Sequence, residues 1–198
     1  MFHPAGETHS TRMGDRGGVV FCIELGGRWA TMLKDFSATD TRIEERGGPL
    51  SWLARQVYRD SIESQPLLAE SLICEMLART SQDPPESRSA PAWLPRVVDW
   101  IQDRHYSSFT IAQIAEELKV HPFHLSRVFR YFHGISIGEY LNRVRIDRAM
   151  KLLANEHSLR LCELAIDLGF ADQSHFTRTF RKLTGISPSN YRRKIAAN

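Results

Sequence analysis

The sequence predicts a mainly α protein: a C-terminal unit of seven helices containing a double helix-turn-helix, preceded by a helical hairpin and a short β segment. Three observations predict it. One pattern occurs twice between Phe109 and Arg193, and such an internal repeat fixes architecture before any single residue is read. Apolar residues in both copies fall at i, i+3, i+4 and i+7, the signature of a helix with one buried face. Proline, glycine and capping residues mark where individual helices begin and end.

Taken in order, residues 1–48 form the β segment and a loop. Gly18-Val19-Val20-Phe21-Cys22-Ile23-Glu24-Leu25 reads as a strand bounded by Gly17-Gly18 and Gly26-Gly27. Ahead of it, Pro4-Ala5-Gly6-Glu7-Thr8-His9 resembles the second cupin motif, Pro-x-Gly-x-x-His. A lone His9 cannot hold a metal, because catalytic sites usually need about three protein ligands. Residues 49–80 read as a helical hairpin. Pro49 opens a helix to about Ser64, anchored by Trp52, Leu53 and Val57; Pro66 opens a second to about Arg79, with Leu68, Leu72, Met76 and Leu77. An apolar face left uncovered on this hairpin would favour self-association. Residues 81–91, with Pro84-Pro85 and Pro91, read as a semi-stiff linker.

The seven-helix unit occupies residues 92–198. Leu94, Val97, Val98 and Ile101 give its first helix an apolar face, and Trp93 and Trp100 read as core. In the first copy, Thr110 and Gln113 form a capping box for a helix with Ile111, Ile114, Ala115 and Leu118 inward. The second copy matches with Leu161, Leu164, Ala165 and Leu168, but Arg160 stands where the cap would be. A tight turn leads each time to a second helix, buried through Leu125 and Phe129 or through Phe176 and Phe180. Gly134 and Gly185 sit where those helices should stop in a left-handed cap. The offset between copies is 50 at Ala115/Ala165 and 51 at Phe129/Phe180, so the second turn carries one extra residue. Between the copies, Ser136 and Glu139 open a helix to about Asn155, with Ile146, Ala149, Met150 and Leu153 on its apolar side. At about 1.5 Å per residue this rod is roughly 28 Å long. Successive major grooves on one side of B-DNA lie about 34 Å apart. Ser187 caps the last helix and Pro188 occupies its first turn.

The outer faces of the two second helices carry the chemistry. Phe123, Ser126, Arg127 and Arg130 in one copy face Gln173, Ser174, Thr177, Arg178, Arg181 and Lys182 in the other. Packing alone does not require Arg127 and Arg178 to match. Arg offers a bidentate fork to guanine, Gln does the same for adenine, and hydroxyls adapt to either. Phe123 departs from that chemistry; it would touch a thymine methyl or be packed. Arg130, Arg181 and Lys182 suit phosphates. Charge is placed accordingly: residues 92–198 hold 16 Lys/Arg against 10 Asp/Glu, and residues 1–91 hold 10 against 13. A basic half beside a mildly acidic one suits a nucleic-acid reader joined to a non-reader.

The matching residues include Ile114-Ala115, Leu125-Ser126-Arg127-Val128-Phe129, Gly134-Ile135-Ser136, Arg145-Ile146, Gly169-Phe170, Ser174-His175-Phe176, Phe180-Arg181, Ser187-Pro188 and Tyr191-Arg192. On these, residues 92–198 closely resemble the DNA-binding domain of the AraC/XylS family of bacterial transcription regulators. The resemblance implies two helix-turn-helix units on a long helix, reading two neighbouring major-groove segments, with base readout on Phe123, Ser126, Arg127, Gln173, Ser174, Thr177 and Arg178. It also casts residues 1–48 as the end of a cupin-like sensor barrel, and residues 49–80 as a dimerisation element or as the cover of that barrel's flank. A complete barrel needs more chain than these residues supply, so the sequence reads as a regulator shortened at its N-terminus or one whose start is assigned too late. Poor order is expected before about Pro49. Double-stranded DNA is the expected partner, RNA polymerase and a second copy are the candidate protein partners, and no small-molecule effector is expected without a full barrel. The alternative is a shortened regulator acting as a heterodimerising modulator of a full-length homologue.

Enzymatic function, metal and cofactor are not expected, since the histidines are scattered without a ligand pair. Cys22, Cys74 and Cys162 form no metal motif or disulfide framework and read as buried free thiols. With no leader sequence and no run approaching the ~18 apolar residues of a membrane span, a cytoplasmic location is expected.

Overall fold

The structure, a computed structural model, describes Trp29 and residues 49–62, 66–80, 89–156 and 158–196. The strand read at Gly18–Leu25, the cupin-like motif with His9, and Cys22 lie outside the described residues. Among the described residues there are nine helices and no strand: α1 (Pro49–Ile62), α2 (Pro66–Thr80), α3 (Leu94–Arg104), α4 (Ile111–Leu118), α5 (Pro122–His133), α6 (Ile137–Asn155), α7 (Leu161–Asp167), α8 (Gln173–Thr184) and α9 (Pro188–Ala196). None is long and apolar enough to cross a membrane.

The helices begin where side chains satisfy orphan backbone donors. Thr110 and Gln113 close a capping box on α4, and Ser136 and Glu139 close another on α6. Arg160 makes no side-chain cap for α7. Asp172 caps α8 by accepting the His175 N–H at 2.7 Å. Gly134 (φ 72°) and Gly185 (φ 81°) end α5 and α8 in the left-handed region, as expected.

Two apolar cores are strung on α6. Its N-terminal half gives Ile137 and Leu141 to a core with Val97 and Ile101 of α3, Ile111 and Ile114 of α4, and Leu125 and Phe129 of α5. Its C-terminal half gives Ile146, Ala149 and Leu153 to a second core with Leu164, Ala165, Leu168, Phe170, Phe176 and Phe180. Each helix-turn-helix therefore carries its own core, and one continuous helix ties the two together.

Arg145 sits where the cores meet. It is buried, donates from Nε to the His105 carbonyl at 2.6 Å and from Nη2 to the Ser107 carbonyl at 3.0 Å, and lies over the Phe170 ring. It thereby ties the loop after α3 to the second turn. Burial pulls its pKa down to about 10, so it remains charged at neutral pH.

The first core does not stop at the linker read at 81–91. Leu67, Cys74 and Leu77 of α2 belong to it, and α2 packs along α5 and against the start of α6. Leu53 and Val57 of α1 close over Leu68 and Leu72 of α2. Where an uncovered apolar face was expected on the hairpin, Leu67, Cys74 and Leu77 of its second helix are thus covered by the first helix-turn-helix. A second correction concerns the thiols: Cys74 is buried, but Cys162 is exposed on α7.

Candidate nucleic-acid interface

The outer stripe of α8 is Ser174, Thr177, Arg178 and Arg181, at i, i+3, i+4 and i+7. Phe176 and Phe180, on the opposite side, are fully buried, and His175 and Thr179 are buried with them. That inward packing fixes the rotation of α8 and turns the stripe outward. Gln173, Ser174, Arg178, Arg181 and Lys182 are exposed, and Thr177 is half-buried. Two guanidinium groups, an ammonium, an amide and two hydroxyls thus share one convex face. Asp172 stands at its N-terminal edge. The His175 N–H bond holds its carboxyl below the usual range, helped by the Ser174 N–H and the charge of Arg178.

The same stripe on α5 is Phe123, Ser126, Arg127 and Arg130, and its surroundings differ. Phe123 is 0% exposed and Ser126 6%, whereas their counterparts Ser174 and Thr177 are exposed and half-buried. Trp29 stacks on Phe123 with ring centroids 6.2 Å apart and planes 16° from parallel, and His121 meets the same ring edge-on at 5.0 Å. Arg127 is half-buried. Arg130 Nη1 lies 2.9 Å from Glu75 Oε2 of α2 and 3.5 Å from Glu139 of α6. Phe123 thus takes the packed one of its two expected places, and Ser126, expected at a base edge, is buried in this arrangement. Gln173, Ser174, Thr177, Arg178, Arg181 and Lys182 are brought together on α8, while Arg127 and Arg130 sit on a helix face that α2 adjoins.

Three groups at this interface escaped the sequence reading: Glu70, Ser71 and Glu75 of α2. Glu70 Oε2 accepts the Ile111 N–H, at the first turn of α4, at 3.1 Å. Ser71 Oγ accepts the Gly138 N–H, in the first turn of α6, at 3.1 Å. Glu70 and Glu75 are both more than nine-tenths buried. Charged residues are almost never fully buried unless paired, so two acidic residues within an apolar helix were the available signal.

Two helix-turn-helix units on one connecting helix, the second with an open basic and polar stripe, define the class: a double helix-turn-helix protein. A family model for a helix-turn-helix domain matches residues 114–194. The chain is 38% identical over 114 residues to the helix-turn-helix transcriptional regulator YijO of Escherichia coli, a match covering 58% of this chain and 40% of that protein. It is 33% identical over 99 residues to the transcriptional activator AarP of Providencia stuartii, covering 50% of this chain and 73% of the relative. Among solved structures, the DNA-binding domain of the global transcriptional factor AdpA, in complex with a target DNA, is similar with a TM-score of 0.50 and 26% identity, covering 52% of this chain and 93% of that one. The chain belongs to the AraC-type helix-turn-helix family. It spans less than half the length of YijO, and these relatives are transcriptional regulators.

Proposed function

We propose that this protein is a sequence-specific DNA-binding transcription regulator that reads two adjacent major-groove segments of one duplex, one with each outer stripe. The observation that carries the reading is the α8 face: Gln173, Ser174, Thr177 and Arg178 supply base-reading groups, flanked by Arg181 and Lys182 for phosphates. The AdpA domain, similar in fold and solved with its target DNA, supports double-stranded DNA as the partner. Each copy packs its own core on one half of α6, which supports reading on two segments rather than one. Arg130 would take a phosphate at the first segment, as Arg181 would at the second. A second copy of the chain and RNA polymerase are the protein partners this role would recruit.

Selection of bound duplexes from a random library tests the reading. Wild-type protein is expected to enrich a defined motif, and Arg178→Ala to relax one block of it at a cost of about 1–3 kcal/mol on the enriched site. Equal loss on enriched and random duplex would reduce Arg178 to a phosphate contact and overturn its reading role.

A further inference from the structure

The structure points to a built-in cover on the first reading helix: we propose that α2 occupies the DNA-facing surface of α5 and must be displaced before that helix can enter a groove. The inference rests on the DNA-binding reading above, and the second copy of the unit is its internal control. On α8 the stripe is open. On α5, which α2 packs against, the equivalent stripe is closed at its N-terminal end by Trp29 against Phe123 and met at its C-terminal end by Glu75 of α2 on Arg130.

The contacts that α2 makes are those a nucleic acid backbone would make. Orphan N–H groups at a helix N-terminus bind anions, and phosphate is the usual occupant. At α4 that place is held by the Glu70 carboxylate on Ile111 N–H, 3.1 Å away. At α6 the Gly138 N–H is held by Ser71 Oγ. Arg130, the phosphate-directed cation of this copy, pairs with Glu75 at 2.9 Å. Its counterpart Arg181 is exposed. The hairpin therefore presents two carboxylates and a hydroxyl to the donors on this side of the first helix-turn-helix. DNA and α2 would compete for the same groups, so each must weaken the other's binding by the same factor.

Gly138 is the point at which the cover fits most closely. A Cβ there would stand 2.7 Å from the Leu68 Cα and 3.2 Å from the Leu68 backbone nitrogen. Gly138 lies within α6, where alanine is the better helix former. Gly138→Ala should therefore push α2 away without weakening the helix that carries the mutation, and without changing any charge.

The experiment uses the full chain, a fluorescent duplex pool of random sequence at low salt, and hydrogen exchange on free and DNA-saturated protein. Saturation is expected to slow exchange at α8 and to speed it at residues 67–80. Gly138→Ala is expected to bind the pool about tenfold more tightly, because apparent affinity scales with the fraction of competent molecules. Glu70→Gln with Glu75→Gln, which loosens α2 without a steric change, should speed exchange at residues 67–80 in the absence of DNA. Slower exchange at α8 with unchanged exchange at residues 67–80, and no gain from Gly138→Ala, would overturn the cover while leaving DNA binding intact. No slowing at α8 would overturn the DNA-binding reading and this inference with it.

Discussion

Gly169 and Lys119 occupy equivalent positions in the two turns and share a left-handed backbone, at φ 78° and 55°. A lysine can hold that conformation at a cost of about 1–2 kcal/mol, which the first copy tolerates. The second copy has no such latitude. A Cβ on Gly169 would lie 2.5 Å from Arg145 Nη2 and 2.8 Å from the Tyr106 carbonyl oxygen. The guanidinium is held by two backbone carbonyls, and the carbonyl is main chain, so neither yields easily. Gly169→Ala should therefore lower stability by about 2 kcal/mol or more, combining the backbone term with overpacking. Denaturant midpoints of the variant check this, and a midpoint equal to wild type would show that Arg145 swings free. Arg145 itself was legible in the sequence only through the family resemblance. Nothing in its own neighbours says that an arginine will be buried against carbonyls 38 and 40 residues earlier in the chain.

At the scale of elements, α8 depends on its cap. The bond from His175 N–H to Asp172 exists with the carboxylate charged, and it holds the folded-state pKa below the ordinary value of 3.8. A carboxyl whose pKa is lowered on folding stabilises the fold above its unfolded pKa, and that contribution is lost as pH falls through the folded value. Asp172→Ala should thus be less stable than wild type at pH 7, with the difference shrinking below roughly pH 4 as the wild-type carboxyl protonates. Urea midpoints across that range test the sign; a gap that stayed constant would assign the loss to something other than the charge. Helices of this kind were well marked in the sequence. Thr110 with Gln113, Ser136 with Glu139, and Gly134 and Gly185 gave starts and stops because caps are local chemistry. The spacing of Ile111, Ile114, Ala115 and Leu118 gave a face because burial follows the 3.6-residue period. The packing of α2 on α5 was not marked, since an amphipathic helix does not say which surface it will meet. Glu70 and Glu75 carry no local signal for the same reason: their partners, Ile111 N–H and Arg130, are 41 and 55 positions further along.

Across the whole molecule, two small cores share one continuous helix, and Arg145 braces the junction between them. That arrangement gives the two outer stripes a fixed relation, which is what reading a single duplex at two places requires. The hairpin adds asymmetry to a duplicated design: one stripe stands open on α8, and the other meets the buried Glu75 carboxylate of α2. The most direct test is the spacing of the contacts on DNA. Chemical footprinting on the library-enriched duplex should give two protected blocks on one face, centred about 10 base pairs apart. Arg127→Ala should clear one block and Arg178→Ala the other. A single block sensitive to only one of these variants, or two blocks on opposite faces of the duplex, would contradict the account.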